Sequence, residues 1–259
     1  SMEVSIIIPT LNEARFLQRT LNHVQHLRPR PKEVLIVDGG STDGTVAIAE
    51  DIIARELAPG AALNDRPPIK ILHSKVASRA VQMNLGADQA QGTILCFLHG
   101  DTLVPDDAIT VIQKTLADPE ISCGGFLSLM TGHFKTRWGV SLHNALKTYY
   151  APLLFRPHLY FRQGMRLLFG DQVMFCRRED FLACGGFDPK LPIMEEADLC
   201  LKLCRFGRIR QVNRVVQSSD RRVAAWGFWK ANGIYLMIGL LWSMGVSAKT
   251  LKRFYAEVR

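Results

Sequence analysis

The 259-residue sequence has no Cys-x-x-Cys pair, no GxGxxG run opening a helix and no GxxxxGK[ST] loop. The last two absences turn the reading away from a dinucleotide-binding unit and from a P-loop. The six cysteines, at 96, 123, 176, 184, 200 and 204, are expected to be reduced and mostly buried. Cys200 and Cys204 lie four apart on an expected helix but have no histidine partners, so no zinc site is expected there. Long apolar runs are also missing. Ala231 to Val246, between Lys230 and Lys249, is sixteen residues, short of the ~20 that a spanning helix needs. No transmembrane anchor is expected, no leader-like segment is read ahead of the first strand, and Ser1 before Met2 reads as a cloning remnant. The expected location is cytoplasmic. Internal repeats and low-complexity tracts are absent as well.

What is present is lopsided in charge. Residues 1–130 carry 11 Lys and Arg against 15 Asp and Glu, whereas residues 131–259 carry 21 against 9. A basic second half is suited to a negatively charged partner. The apolar stripe from Trp226 to Trp242, flanked by Arg221, Arg222, Lys249, Lys252 and Arg253, is expected to be helical. It is suited to peripheral contact with the inner membrane face, to a homodimer, or to packing on its own domain. No nucleic-acid partner is assigned.

The first half alternates strand and helix. Val4 to Ile8, Val34 to Val37, Ile69 to Leu72 and Thr93 to Leu98 are apolar, β-branched runs, each ending at a polar or glycine-rich turn. Helices are expected from about Asn12 and Gly44 and over Arg79 to Gln89, and a loop over Ala58 to Pro68. Such alternation implies an α/β fold with a mostly parallel central sheet flanked by helices. Beyond Pro105 the pattern loosens. Strands are expected over Cys123 to Met130 and Asp171 to Cys176, and helices over Trp138 to Tyr150, Glu195 to Phe206 and Trp226 to Tyr255. The main domain is placed at 1–220, with a first half at about 1–104 and a second half at about 105–220. A helical C-terminal extension covers 221–259.

Three strand ends carry polar residues suited to a ligand: Pro9-Thr10-Leu11-Asn12-Glu13, Asp38-Gly39-Gly40-Ser41-Thr42-Asp43-Gly44-Thr45 and His99-Gly100-Asp101. On adjacent parallel strands they converge on the crevice beyond the carboxyl ends, where open α/β sheets bind ligands. Taken singly, each has a plainer explanation. Ser41 and Asp43 can cap the following helix, and Thr102 or Asp106 can cap the helix that Pro105 begins, which leaves Asp101 an ordinary loop residue.

Taken together, SIIIPTLNE, VDGGSTDGT, SRAVQMNLGA, FLHGDT and GGFDPKLPIMEEADLCLKL resemble, in order and spacing, the glycosyltransferase 2 family, whose members adopt the GT-A fold. The resemblance covers about residues 4 to 206, and it implies a nucleotide-binding half at about 1–104 and an acceptor-side half at about 105–220. It implies that Pro9, Thr10, Asn12, Glu13, Asp38, Gly39, Ser41, Asp43, Arg79, Asn84 and His99 bind the nucleotide, with Asp38 bonding the base, usually uracil. It implies that Asp101, matching the last acid of an Asp-x-Asp motif, binds Mn²⁺ or Mg²⁺ on the diphosphate. Glu196, in Glu195-Glu196-Ala197-Asp198, matches the catalytic base. Asp171 and Gln172, in the acceptor-side strand that leads to Cys176-Arg177-Arg178 and Gly185-Gly186-Phe187, line the acceptor pocket together with Glu195. Arg221 and Arg222 stand as phosphate contacts. With HGDT and Ser219-Asp220-Arg221-Arg222, the chain resembles a small stand-alone subgroup associated with arsenosugar or selenium-linked biosynthesis.

Two positions depart from the family pattern. His99 replaces the first acid of the Asp-x-Asp motif, and Glu196 replaces the more usual Asp. The expected activity is inverting, metal-dependent transfer of a sugar from a nucleotide-diphospho-sugar, UDP-linked, to a small-molecule or lipid-linked acceptor. A catalytically silent nucleotide-sugar-binding protein is the rival from another class. A sugar-1-phosphate nucleotidyltransferase would want a Gly-, Arg- and Lys-bearing loop after the first strand, and PTLNEARF lacks one.

Overall fold

The computed structural model describes residues 1–60, 65–131, 173–190 and 195–219. Seven strands and six helices are described: β1 (Val4–Thr10), α1 (Leu17–Gln25), β2 (Glu33–Asp38), α2 (Thr45–Glu56), β3 (Ile69–His73), α3 (Arg79–Gln89), β4 (Ile94–Phe97), α4 (Ala108–Ala117), β5 (Ile121–Thr131), β6 (Met174–Arg177), α5 (Arg178–Ala183), α6 (Glu195–Leu203) and β7 (Arg208–Ser219). The strands form one sheet in the order β3-β2-β1-β4-β6-β5-β7. Strand pairs β1–β2, β2–β3, β1–β4 and β5–β7 are parallel, while β6 runs antiparallel to both β4 and β5.

Every residue of β1, β2 and β4 is buried, as expected of parallel strands covered on both faces. Side chains alternate between two cores. Ile6, Ile8, Val34, Ile36, Ile94 and Cys96 face the layer built with α1, α2 and α4. Ile7, Leu35, Val37, Leu95 and Phe97 face the layer built with α3, α5 and α6. The chain proceeds from β1 to β2 to β3 on one side and then crosses to place β4 on the other side of β1. That reversal opens a crevice at the carboxyl ends of β1 and β4, and the polar strand ends meet there.

Several boundaries differ from the sequence expectation. Asn12 does not start a helix. It takes φ +55°, and helix α1 begins only at Leu17 after a turn in which Phe16 and Leu17 N–H both donate to the Glu13 carbonyl. The helix after Pro105 begins at Ala108 with no side-chain cap, so neither Thr102 nor Asp106 caps it. The strand expected over 171–176 lies at Met174–Arg177, and the helix expected to reach Phe206 ends at Leu203. Strand β7, Arg208–Ser219, has no counterpart among the expected elements. Its exposed Arg208, Arg210 and Arg214 mask the apolar signal of Ile209, Val212 and Val216, and charged outward residues are how sheet edges are commonly protected. The helices expected over 138–150 and 226–255, and with them the C-terminal extension, lie outside the described residues.

Candidate active site

The first wall of the crevice is organised by a buried carboxylate. Asp38 Oδ1 accepts from the hydroxyls of Thr10 (2.8 Å) and Ser41 (2.6 Å), and Oδ2 accepts from the amides of Gly40 (3.0 Å) and Ser41 (2.9 Å). Burial alone would raise this carboxyl. The bonds from Ser41, Thr10 and Gly40 outweigh it and hold the group below its usual range. The neighbouring loop is stitched to the same turn. Asn12 N–H donates to Ser41 Oγ at 2.9 Å, and Asn12 Oδ1 accepts from the Thr42 amide at 2.9 Å. Glu13 N–H donates to Thr45 Oγ1 and Ala14 N–H to Asp43. Asp43 also takes the Thr45 amide and hydroxyl, bracing the start of α2 from just ahead of the Gly44 cap position. Thr10, Asn12, Glu13, Asp38, Ser41 and Asp43 therefore form one network that joins the ends of β1 and β2. Pro9 is buried beside Val37 in the strand register.

Gln82, which was not singled out from the sequence, completes this wall. Its Nε2 donates to the carbonyls of Thr10 (2.9 Å) and Val37 (2.8 Å), so α3 holds both strand ends. Gly39 makes room for it, since a Cβ there would lie 2.7 Å from Gln82 Oε1. The signal was a polar residue on the inward face of α3, three positions after Arg79.

The depressed Asp38 carboxyl carries a stability prediction with a fixed sign. A group whose folded-state pKa lies below its unfolded value, about 3.9, adds stability above that value and loses it as pH falls through the folded pKa. Asp38→Ala is expected to lower the melting temperature by several degrees at pH 7, because it strands the buried Thr10 hydroxyl and removes the acceptor of three part-buried donors. The gap to wild type should narrow toward pH 3. A pH-independent gap in melting scans would show that the carboxylate's charge plays no part.

The second wall is the turn after β4. Leu98 N–H still donates to the Ile7 carbonyl, after which Thr102 N–H closes a turn on the His99 carbonyl at 3.1 Å. Asp101 is half-buried and its Oδ1 accepts from Thr102 Oγ1 at 3.3 Å. At Gly100 an added Cβ would come within 3.0 Å of Glu13 Cγ, so the bare backbone lets the β1 end and the β4 end touch. Among the described residues no three His, Cys, Asp or Glu side chains converge as a ready-made cation cage. Asp101 nevertheless offers a hard carboxylate oxygen. Such a donor fits Mg²⁺ or Mn²⁺, which are bound through one or two carboxylates while substrate phosphates and water fill the remaining positions.

The third wall comes from the far half of the chain. Glu195 and Glu196 open α6, each only 7% exposed. Both are compensated by the positive end of the helix and by Arg79 from the start of α3. Arg79 Nη1 lies 3.3 Å from Glu196 Oε1 and 3.8 Å from Glu195 Oε1. Glu196 lines a small pocket with His99, Met83, Phe97, Met174 and Phe187, so the β4 turn and the second acid of α6 face one space. Asn84 does not point into that space by any described bond. Its amide exchanges two hydrogen bonds with the Phe187 main chain (2.8 and 3.0 Å), clipping the Gly185-Gly186-Phe187 loop to α3. Behind it Phe97, Phe181 and Phe187 pack in tilted and edge-to-face pairs with centroids 5.0 to 5.5 Å apart.

All six cysteines are free, and only Cys184 is not fully buried. Burial pushes the Cys96 thiol up to about 12 and raises Cys176 and Cys204 as well, which suits packing and not nucleophilic work. Asp171, Gln172, Arg221 and Arg222 lie outside the described residues.

A mostly parallel sheet whose strand order reverses at β1 and β4, with polar strand ends gathered at that switch and a buried acid facing them, defines the GT-A class. Solved structures agree with that fold. A mannosyltransferase from Pyrobaculum calidifontis, in complex with GDP-Man and Mn²⁺, superposes with a TM-score of 0.69 at 19% identity over 95% of this chain and 65% of that one. Glucosyl-3-phosphoglycerate synthase from Mycobacterium tuberculosis, in complex with Mn²⁺, UDP and glucosyl-3-phosphoglycerate, gives 0.63 at 18% over 95% and 81%. The model for glycosyl transferase family 2 matches residues 5–182, and the chain belongs to that family. Among relatives, glycosyltransferase AglE of Haloferax volcanii is 41% identical over 100 residues, which are 38% of this chain and 30% of that protein. A PGL/p-HBAD biosynthesis glycosyltransferase of Mycobacterium bovis is 34% identical over 137 residues, 52% of this chain and 50% of that one. The chain thus spans about a third to a half of the length of these curated relatives. No helix among the described residues is long and apolar enough to cross a membrane.

Proposed function

We propose that the protein is an inverting glycosyltransferase that moves a sugar from a nucleotide-diphospho-sugar, preferentially UDP-linked, to a small-molecule or lipid-linked acceptor with the help of Mn²⁺ or Mg²⁺. The observation that carries the reading is the meeting of Glu196 and His99 in one pocket, with Arg79 on Glu196. This arrangement sets a buried carboxylate across from the turn that bears Asp101.

The chemistry follows from that arrangement. The Thr10–Asp38–Ser41 network and Gln82 fix the floor on which the nucleoside lies. Asp38, with each oxygen already accepting two protein hydrogen bonds, shapes this floor as well as reading the base. Asp101 would hold the divalent ion, which acts as a Lewis acid on the departing diphosphate. Glu196 takes the proton from the acceptor hydroxyl as that oxygen attacks the anomeric carbon from the face opposite the leaving group, and one in-line displacement inverts the centre. Glu195 holds the acceptor side, and Arg221 and Arg222 are read as contacts to phosphate. Membership of the small subgroup that the HGDT turn suggests, and contact of residues 221–259 with an anionic membrane or a second copy, belong to the same proposal.

A ligand that binds only the folded state raises stability by mass action, by about 2.7 kcal/mol at a hundredfold excess over its dissociation constant. UDP with Mn²⁺ is therefore expected to raise the melting temperature by several degrees, more than GDP or ADP does. Equal shifts from the three nucleotides would remove the uracil preference. Donor hydrolysis across a panel of UDP- and GDP-sugars with Mn²⁺ would then separate a transferase, which turns the donor over, from a binding protein, which only shifts its melting.

A further inference from the structure

Helix α1 touches the Asp101 turn through side chains that no packing argument requires. Thr20 is fully buried among Leu17, Leu21 and Val24 on the inward face of the helix. A helical threonine commonly returns its hydroxyl to its own preceding turn. Here the hydroxyl crosses to the Gly100 carbonyl at 2.6 Å, 80 residues away in sequence. One position earlier, Arg19 Nη2 donates to the Asp101 carbonyl at 3.4 Å, and one turn later His23 Nε2 donates to the Val104 carbonyl at 2.6 Å. Three neighbouring side chains of one helix thus hold three carbonyls of one five-residue segment.

The geometry has a specific consequence. Each peptide unit is a rigid plane, so a residue's orientation is set by the two planes that flank it. The Gly100 carbonyl belongs to the plane that enters Asp101, and the Asp101 carbonyl to the plane that leaves it. Holding both restrains the two backbone dihedrals of Asp101 and hence the direction in which its side chain leaves the main chain, the short buried bond from Thr20 more than the long exposed one from Arg19. The Thr102-to-His99 bond closes the same turn from within. Valine would fill the Thr20 site equally well among leucines and avoid the desolvation of a hydroxyl, so the hydroxyl is accounted for by the carbonyl it holds.

We infer that Thr20, assisted by Arg19 and His23, is a positioning residue that presents the Asp101 carboxylate to the divalent cation of the donor complex. This rests on the reading of Asp101 as a cation ligand. The test measures Mn²⁺ binding directly, by electron paramagnetic resonance on the full chain with saturating UDP. Metal-free UDP affinity and melting temperature are recorded beside it. Thr20→Val is expected to weaken Mn²⁺ binding about three- to tenfold, the loss of one buried hydrogen bond, with metal-free UDP affinity within about twofold of wild type. Thr20→Ser should restore the metal affinity. Arg19 is exposed, so Arg19→Ala leaves folding intact, and its longer bond predicts a smaller loss, up to about threefold. A Thr20→Val protein that binds Mn²⁺ as wild type does, or that loses metal-free UDP binding in the same proportion, overturns the inference. Asp101→Asn in the same assay separates the two levels. If it abolishes Mn²⁺ binding while Thr20→Val does not weaken it, the positioning role alone falls. If Asp101→Asn binds Mn²⁺ normally, the ligand assignment falls and the positioning role with it.

Discussion

Glu196→Gln is expected to cut sugar transfer by ~10² to 10⁴, the usual measure of a lost general base, while UDP affinity stays near that of wild type. The substitution keeps the size of the side chain and removes only its capacity to take a proton. It should not unfold the crevice. Arg79 retains Glu195 as a partner at 3.8 Å, and removing one of two adjacent buried carboxylates relieves repulsion at the start of α6. Glu195→Gln should do less, because Glu196 keeps its 3.3 Å contact with Arg79 and its place in the pocket beside His99. Arg79→Ala is expected to reduce both stability and transfer, since it removes the guanidinium that lies against two acids only 7% exposed. Single-turnover transfer and UDP titration on the three variants separate these effects. A Glu196→Gln protein that keeps most of its rate would place the base elsewhere, with Asp171 the next candidate.

The amino-terminal half was legible because its physics is local. β1, β2 and β4 are buried on both faces and so read as near-continuous apolar runs. Helix α3 has the expected bounds, Arg79 to Gln89, and in the structure Ser78 caps it, accepting from the Val81 amide. The far half was harder. A four-residue strand such as Met174–Arg177 carries no mark of its direction, so its antiparallel insertion between β4 and β5 appears only in the sheet. β7 hides its buried residues among arginines.

The site divides along the same line. The acids and amides at the strand ends stood out because nothing in a core explains them. What each one touches did not, because Asp38 and Asn84 spend their visible bonds on protein, one on the 40–41 turn and the other on Phe187. Gln82 and Thr20 act through main-chain carbonyls far away in sequence, and no pattern of residue types records a partner 80 positions distant.

The strand-ending turn His99-Gly100-Asp101 yields the second large expected effect. Asp101→Asn removes a charged oxygen donor, and among the described residues no three-ligand cluster stands in reserve. Metal-dependent UDP binding and turnover should therefore collapse together. His99 sits differently: it lines the pocket with Glu196 and Phe187, and a neutral imidazole can hydrogen-bond a ribose hydroxyl or a cation-bound water. His99→Ala then removes one hydrogen bond, worth about 0.5 to 1.5 kcal/mol for a neutral pair. Donor affinity should fall several-fold while the response to metal survives. His99→Asp supplies a second carboxylate two residues before Asp101 and should keep or improve the use of Mn²⁺. If the imidazole were itself a ligand, that exchange of nitrogen for oxygen would disturb binding and move the preference from Mn²⁺ toward Mg²⁺, which favours oxygen. Titrating both metals against wild type and the three variants decides between the two. A His99→Ala protein as unresponsive to metal as Asp101→Asn would mean that the turn grips the ion from both residues, and that the departure from two acids changes the donor atom without giving up the ligand.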